Sequence, residues 1–147
     1  MSVSTPDPQG RRQAREAALQ MLYQSEIGKA GAFESIATYW PARDAEAQLE
    51  PPLQEFANTL VRGALARREE IDALLVAHAN NWRVERMGVI DRLVLRLGVY
   101  EMLAEAETPS KVIINEALEL ARTYSGEESV GFVNGVLDAI RKELRRS

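Results

Sequence analysis

This sequence predicts an all-α fold, and three observations carry the prediction. Apolar side chains recur every three to four residues through most of the chain. Nothing alternates with a period of two for long enough to make a strand. Proline and glycine punctuate the periodic stretches where helices start and stop. The most informative stretch is residues 91–103. Drawn as a helix, it puts Leu93, Leu97 and Tyr100 on one face with Val94 beside them, while Leu95, Val99 and Met102 come round the back. A helix that is apolar nearly all round belongs in a core.

The elements follow in order. Residues 1–10 have no apolar h-region and read as a disordered lead-in ended by Gly10, not as a signal peptide. Residues 11–27 have helical periodicity, with Ala14, Ala18, Met21 and Leu22 as the core stripe and Gly28 as the stop. Residues 33–40 make a short amphipathic turn or two ended by Pro41, and residues 43–52 read as a polar loop. Pro51 or Pro52 opens the next helix, since proline suits the first turn. That helix is long: Leu53, Phe56, Leu60, Ala64, Ile71, Leu74 and Leu75 keep one period to about Ala79. Asn80 and Asn81 end it, residues 82–88 link, and the core helix runs over about 89–106. Thr108 and Pro109 start another helix, with Pro109 in its first turn, striped by Ile113, Ile114, Ala117, Leu118 and Ala121 and stopped at Gly126. Ser129 or a neighbour caps the last helix, whose stripe is Val133, Val136, Leu137, Ile140 and Leu144. Residues 11–147 are expected to form a single helical domain.

Length and composition exclude several classes. A chain of 147 residues is one domain, or two small halves sharing a core. A hydrophobic content of 46% with 27% charged residues is ordinary for a soluble globular protein, and no apolar run approaches the ~18 residues of a membrane span. The absence of cysteine removes disulfides, thiolate metal sites and cysteine nucleophiles, and fits a cytoplasmic location. A net charge of −4 argues against unselective nucleic-acid binding. The charge is uneven, however. Lys29, Lys111 and Lys142 are the only lysines, leaving 15 arginines among the 18 basic residues. Arg11, Arg12 and Arg15 cluster near one end and Arg141, Lys142, Arg145 and Arg146 near the other, giving local basic patches on an acidic protein.

On a helical wheel, Arg12, Arg15, Leu19 and Tyr23 share a sector of about 80° apart from the Ala14/Ala18/Met21 stripe. Guanidinium groups in line with an aromatic ring suit single-stranded RNA, arginine for phosphate and the ring for an unpaired base. The alternative is that Tyr23 packs in a second interface and the arginines are solvated, with Arg12 paired to Glu16. Phe132 and the free N–H groups at the start of the last helix are a second candidate. Gly131 and Gly135 there permit close approach, for Gly135 the approach of a neighbouring helix. Asn115, Glu116 and Asn134 read as a structural polar network. His78, the one histidine, falls in the last turn of the long helix, where a surface role facing the dipole is expected. With no phosphate loop, Gly-rich dinucleotide motif or GxSxG, no enzyme is expected, and no catalytic residue, cofactor or metal site.

Four motifs in order resemble the NusB family of bacterial transcription antitermination factors. They are Ala14-Arg15-Glu16-Ala17 with Leu22-Tyr23; Asp91-Arg92 through Arg96-Leu97 to Tyr100-Glu101; Thr108-Pro109 with Ile114-Asn115-Glu116-Ala117-Leu118-Glu119-Leu120-Ala121; and Phe132-Val133-Asn134-Gly135-Val136-Leu137-Asp138. The resemblance covers residues 11–140 and is weakest over 28–53. It implies a compact bundle of six to seven helices in two three-helix halves. It also implies binding of single-stranded boxA RNA together with NusE, a small-subunit ribosomal protein, within the RNA polymerase antitermination complex on ribosomal RNA operons. By motif, Arg11, Arg12, Arg15 and Tyr23 match the family's RNA-binding helix, Phe132 an RNA-contacting aromatic, and Glu128 an acidic residue bordering the RNA. Glu85 and Asp91 match positions at the NusE interface, so the line Asp91, Leu95, Gly98, Met102 is expected to be left, at least at its start, for that partner. Two departures reduce positive charge: Gln13 interrupts an arginine run, and Gly131 stands where a basic residue can occur.

Two other readings accompany this one. The first is a self-associating module, a homodimer that masks the arginine helix through a Leu19/Tyr23 edge. The second is the N-terminal RNA-binding part of a ribosomal-RNA cytosine methyltransferase, disfavoured because no glycine-rich cofactor loop follows.

Overall fold

The computed structural model describes residues 8–79 and 87–147, which form seven α-helices and one short 3-10 turn, with no strand among them. The chain divides into two compact units, the first ending at Leu65 and the second beginning at Ala66. All-α is the fold, and seven helices is the upper end of the expected range.

The first unit holds α1 (Pro8–Gly28), α2 (Ala32–Ala42) and α3 (Pro51–Ala66). Helix α1 begins at Pro8, inside the stretch read as a lead-in, and buries Gly10. Ala14, Ala17 and Ala18 are fully buried, so the helix offers a smooth, small-residue face to its neighbours, one of which is α2. Its end is shaped by Lys29, not by Gly28. Lys29 takes φ 54°, and Ala30 N–H closes back on Ser25 C=O at 3.2 Å. The end of α7 (Glu127–Glu143) repeats this, with Arg145 at φ 58°, Arg146 N–H on Arg141 C=O and Arg145 N–H on Lys142 C=O, both at 3.0 Å. Both ends are Schellman motifs with a long cation at the left-handed position where glycine is usual. Lys29→Gly and Arg145→Gly are each expected to raise stability by about 0.5–1 kcal/mol in urea unfolding, through relief of the side-chain clash.

Helix α2 runs one residue beyond Pro41, because a proline in the last turn removes only one late N–H. A polar lock then closes the connection to α3. Trp40 Nε1 donates to Asn58 Oδ1 at 2.8 Å, Gln48 Nε2 donates to Trp40 C=O at 2.7 Å, and Arg43 donates to Ala47 C=O at 2.9 and 3.1 Å. Tyr39 meets Trp40 edge-on, with ring centroids 4.9 Å apart. Burial pushes the Tyr39 phenol above its usual pKa against the pull of Arg43, which keeps it a donor to Gln20.

The second unit holds α4 (Arg68–His78), α5 (Val89–Ala104), α6 (Ser110–Tyr124) and α7. The single long helix expected over residues 53–79 is two helices, α3 and α4. Arg67 sits between them at φ −105°, ψ 20°, holding Glu70 through two hydrogen bonds of 2.9 and 3.0 Å. Glu69 and Glu70 favour the positive end of a new helix dipole. Periodicity misses the break because Ala64 and Ile71, seven residues apart, stay in phase across it.

Helix α5 is the core element, buried at every residue from Leu93 to Met102 and packed against α4, α6 and α7. Two of those buried residues are charged. Arg96 Nε and Nη2 donate to the two oxygens of Asp72 on α4 at 2.8 and 2.9 Å. Gly98 permits close packing: a Cβ there would lie 3.1 and 3.2 Å from the two Leu137 methyls on α7. Past the end of α5, the Arg146 guanidinium donates to the carbonyls of Met102, Thr108 and Glu105 and to Ser110 Oγ. Pro109 is the residue flanking α6 and not in its first turn, and α7 starts from Gly126 with no side-chain cap. His78 closes α4 and pairs with Glu143 of α7.

Candidate nucleic-acid interface

The buried alanines fix which way the rest of α1 faces. Arg12 and Tyr23 are exposed, Tyr23 at 41%. Eleven positions apart, they lie within about 20° of each other around the helix and about 16 Å apart along it. Between them the sector is closed, for Leu19 is 1% and Arg15 4% exposed. The expected open sector Arg12, Arg15, Leu19, Tyr23 is therefore corrected to two exposed ends, Arg12 and Tyr23, with a buried middle.

Arg15 turns toward Phe56 of α3, its guanidinium carbon 5.3 Å from the ring centroid, and Arg11 lies 4.3 Å from the same centroid. Cation–π attraction of this kind contributes about 0.5–2 kcal/mol, more when desolvated. The helical period places Phe56 in the core stripe; it is half-buried and supports two of the three arginines. No local signal reveals this, because the pairing joins residues some forty positions apart. Arg15 offers almost no surface to a phosphate and braces α1, whereas Arg12 and part of Arg11 remain accessible.

The remaining candidates belong to the second unit. Glu128 is exposed in the first turn of α7, and Phe132 is half-buried one turn on. Gly126 explains how this turn starts. Its φ of 147° disfavours any side chain, and a Cβ there would fall 3.0 Å from both Glu128 carboxylate oxygens, which fold back over the helix start. Gly131 and Gly135 face open space, so the expectation that Gly135 serves close helix packing does not hold. Asn115 and Asn134, expected in a buried network, are both exposed.

Asp91 opens α5 and is partly exposed. Ser129, expected as a helix cap, instead donates from Oγ to Asp91 Oδ2 at 2.9 Å and shares a 2.8 Å hydrogen bond with Ser125 Oγ. Asp91 Oδ1 is buried with no hydrogen-bond partner among the described residues. Leu95 and Met102, on the line expected to await a partner, are 0% and 3% exposed, and Gly98 faces Leu137 and Ala117 of the same unit. Only the head of that line, Asp91, has surface to offer. Glu85 lies outside the described residues.

Fold and site together define an all-helical protein of two small units with an arginine–aromatic face on its first helix. The chain belongs to the NusB family, whose sequence profile matches residues 12–142. It is 44% identical over 136 residues to the transcription antitermination protein NusB of Myxococcus xanthus, covering 92% of this chain and 97% of that protein. It is 46% identical over 134 residues to the protein of the same name from Koribacter versatilis, covering 91% and 90%. Among solved structures, T. maritima NusB superposes with a TM-score of 0.81 at 35% identity, covering 96% of this chain and 94% of that one. A structure of antitermination factors NusB and NusE in complex with dsRNA contains a chain that superposes with a TM-score of 0.81 at 28% identity, covering 92% and 98%.

Proposed function

We propose that this protein is a transcription antitermination factor that binds single-stranded boxA RNA together with NusE and supports processive transcription of ribosomal RNA operons by RNA polymerase. It acts by binding, without catalysis or cofactor, in the cytoplasm; no helix among the described residues is long and apolar enough to cross a membrane. Family membership supports this reading, as does the similar chain solved with NusE and RNA. The observation that carries it is the exposure of Arg12 and Tyr23 on one sector of α1.

Arg12, aided by Arg11, takes phosphate, and Tyr23 and Phe132 stack on unpaired bases. Arg15 serves by holding α1 against Phe56. Glu128 borders the RNA and excludes phosphate from its side. Asp91, and Glu85 with it, meet basic groups of NusE. Gln13 and Gly131 leave fewer cations than a fuller arginine run would, so RNA affinity depends more on NusE.

The test is a boxA titration with and without NusE. Arg12→Ala/Tyr23→Ala is expected to weaken RNA binding at least about tenfold in both conditions, with a shallower salt dependence. Asp91→Asn is expected to weaken it only when NusE is present. Wild-type affinity in the double variant would sink the α1 assignment.

A second reading is favoured by one observation. Tyr23 and Ile27, one turn apart on α1, are 41% and 63% exposed, and Phe33 at the start of α2 is 84% exposed. With Leu19 buried, a masking homodimer would use Tyr23 and Ile27. Light scattering that finds a dimer dissociated by RNA supports it, and a constitutive monomer removes it.

A further inference from the structure

The exposed asparagines that the RNA reading leaves unused meet at a cleft between α6 and α7. It has a volume of about 290 Å³ and is lined by Lys111, Ile114 and Asn115 from α6, by Asn134, Asp138 and Arg141 from α7, and by Ser147 beyond it. Asn134, Asp138 and Arg141 are spaced one turn apart on one helical face, and Phe132 points elsewhere, 200° from Asn134 at 100° per residue. The cleft is therefore separate from the contacts already assigned to α7.

Its charges are distributed unevenly. Asp138 is committed: Arg141 binds Oδ1 at 2.9 Å through both Nε and Nη2, and Lys142 lies 3.4 Å from Oδ2. The Arg141 hydrogen bond holds the Asp138 carboxyl below its usual range, so it stays ionised and paired. Arg141 spends another donor on Arg146 C=O. Lys111 has no ion-pair partner among the described residues, and neither asparagine amide has a hydrogen-bond partner there. Among the described residues the cleft thus presents an ammonium without an ion-pair partner, two amides without a hydrogen-bond partner, the exposed Ser147 and the edge of Ile114, which is 8% exposed.

We propose that this cleft binds a ribonucleotide, with Lys111 on its phosphate, Asn115 and Asn134 on the edge of its base and Ile114 against the ring. Each asparagine amide offers one acceptor and two donors, the alternation that base edges carry. The ammonium supplies a phosphate contact, and the aliphatic edge covers part of a planar ring. The volume suits one compact ligand. The ligand is either a free nucleotide or one unit of an RNA strand, which share this chemistry.

The experiment is NMR titration of the full chain with each ribonucleoside 5′-monophosphate, with single-base tetraribonucleotides, with inorganic phosphate and with an acidic tetrapeptide. Saturable shifts of the Asn115 and Asn134 side-chain amides are expected with nucleotides or oligonucleotides. Response to the monophosphates identifies a free-nucleotide site, and response to oligonucleotides alone identifies a strand site. Asn115→Ala/Asn134→Ala, read at the backbone amides of Ile114 and Asp138, should bind about fivefold or more weakly. Both positions are exposed and helical, where alanine preserves the fold. Arg12→Ala/Tyr23→Ala should bind here unchanged, so failure of the α1 assignment and failure of this one are distinguishable. Equal response to inorganic phosphate, response to the peptide instead, undiminished binding by the asparagine variant, or no response at all would each overturn the proposal.

Discussion

Asp72→Ala is expected to destabilise the protein by about 3 kcal/mol, measured by urea unfolding, more than any surface change at the proposed interface. The reason is asymmetry. Arg96 is buried in α5, and the two oxygens of Asp72 match its guanidinium at 2.8 and 2.9 Å. Removing the carboxylate takes away the bidentate acceptor that matches a desolvated guanidinium. Arg96→Met with Asp72→Leu should recover most of the loss, because apolar groups of similar volume carry no desolvation cost. If Asp72→Ala costs less than about 1 kcal/mol, the pair is a surface contact and not an internal strut. RNA affinity of the folded fraction should be unchanged in either variant.

Arg146→Ala should cost about 2–3 kcal/mol, with the loss localised by hydrogen exchange to the connection between α5 and α6. The last carbonyls of a helix have no intrahelical donor. Here one guanidinium serves Met102 and Glu105 at that end, then Thr108 and the Ser110 hydroxyl beyond it. Arg146→Lys should recover only part, since an ammonium has three donors and no fork to span four acceptors. The backbone bond from Arg146 N–H to Arg141 C=O is indifferent to the side chain, so the end of α7 should survive both changes. Equal stability of the alanine variant would show that water replaces the guanidinium without cost.

These two residues also mark what the sequence can and cannot convey. Element type was legible because burial periodicity is local: the stripes of α5, α6 and α7 follow from side chains three and four apart, and Leu93, Val133 and Ile140 are buried as expected. The break at Arg67 was not, since helical phase survives it. Polar pairings across the chain were not legible either. Nothing near Arg15 names Phe56, nothing near Arg96 names Asp72, and nothing near Ser129 names Asp91. At the candidate interface, Arg12 and Tyr23 were readable as exposed ends, but Leu19 and Arg15 share their sector and are buried. A wheel records angle, and burial depends also on what lies against each turn.

The burial of α5 has a consequence in time as well as in energy. Exposing Leu95 or Val99 to water means parting α5 from α6 and α7, which are its next neighbours in sequence and carry its densest packing. Such a helix has no small opening available to it, so its amides are protected until the whole unit comes apart. The same short connections that close it on α6 and α7 keep the loops to be formed small, which favours rapid assembly. A second unit built in this way closes quickly and lasts long, and it holds the start of α7, with Glu128 and Phe132, on a platform that opens only when the whole unit does.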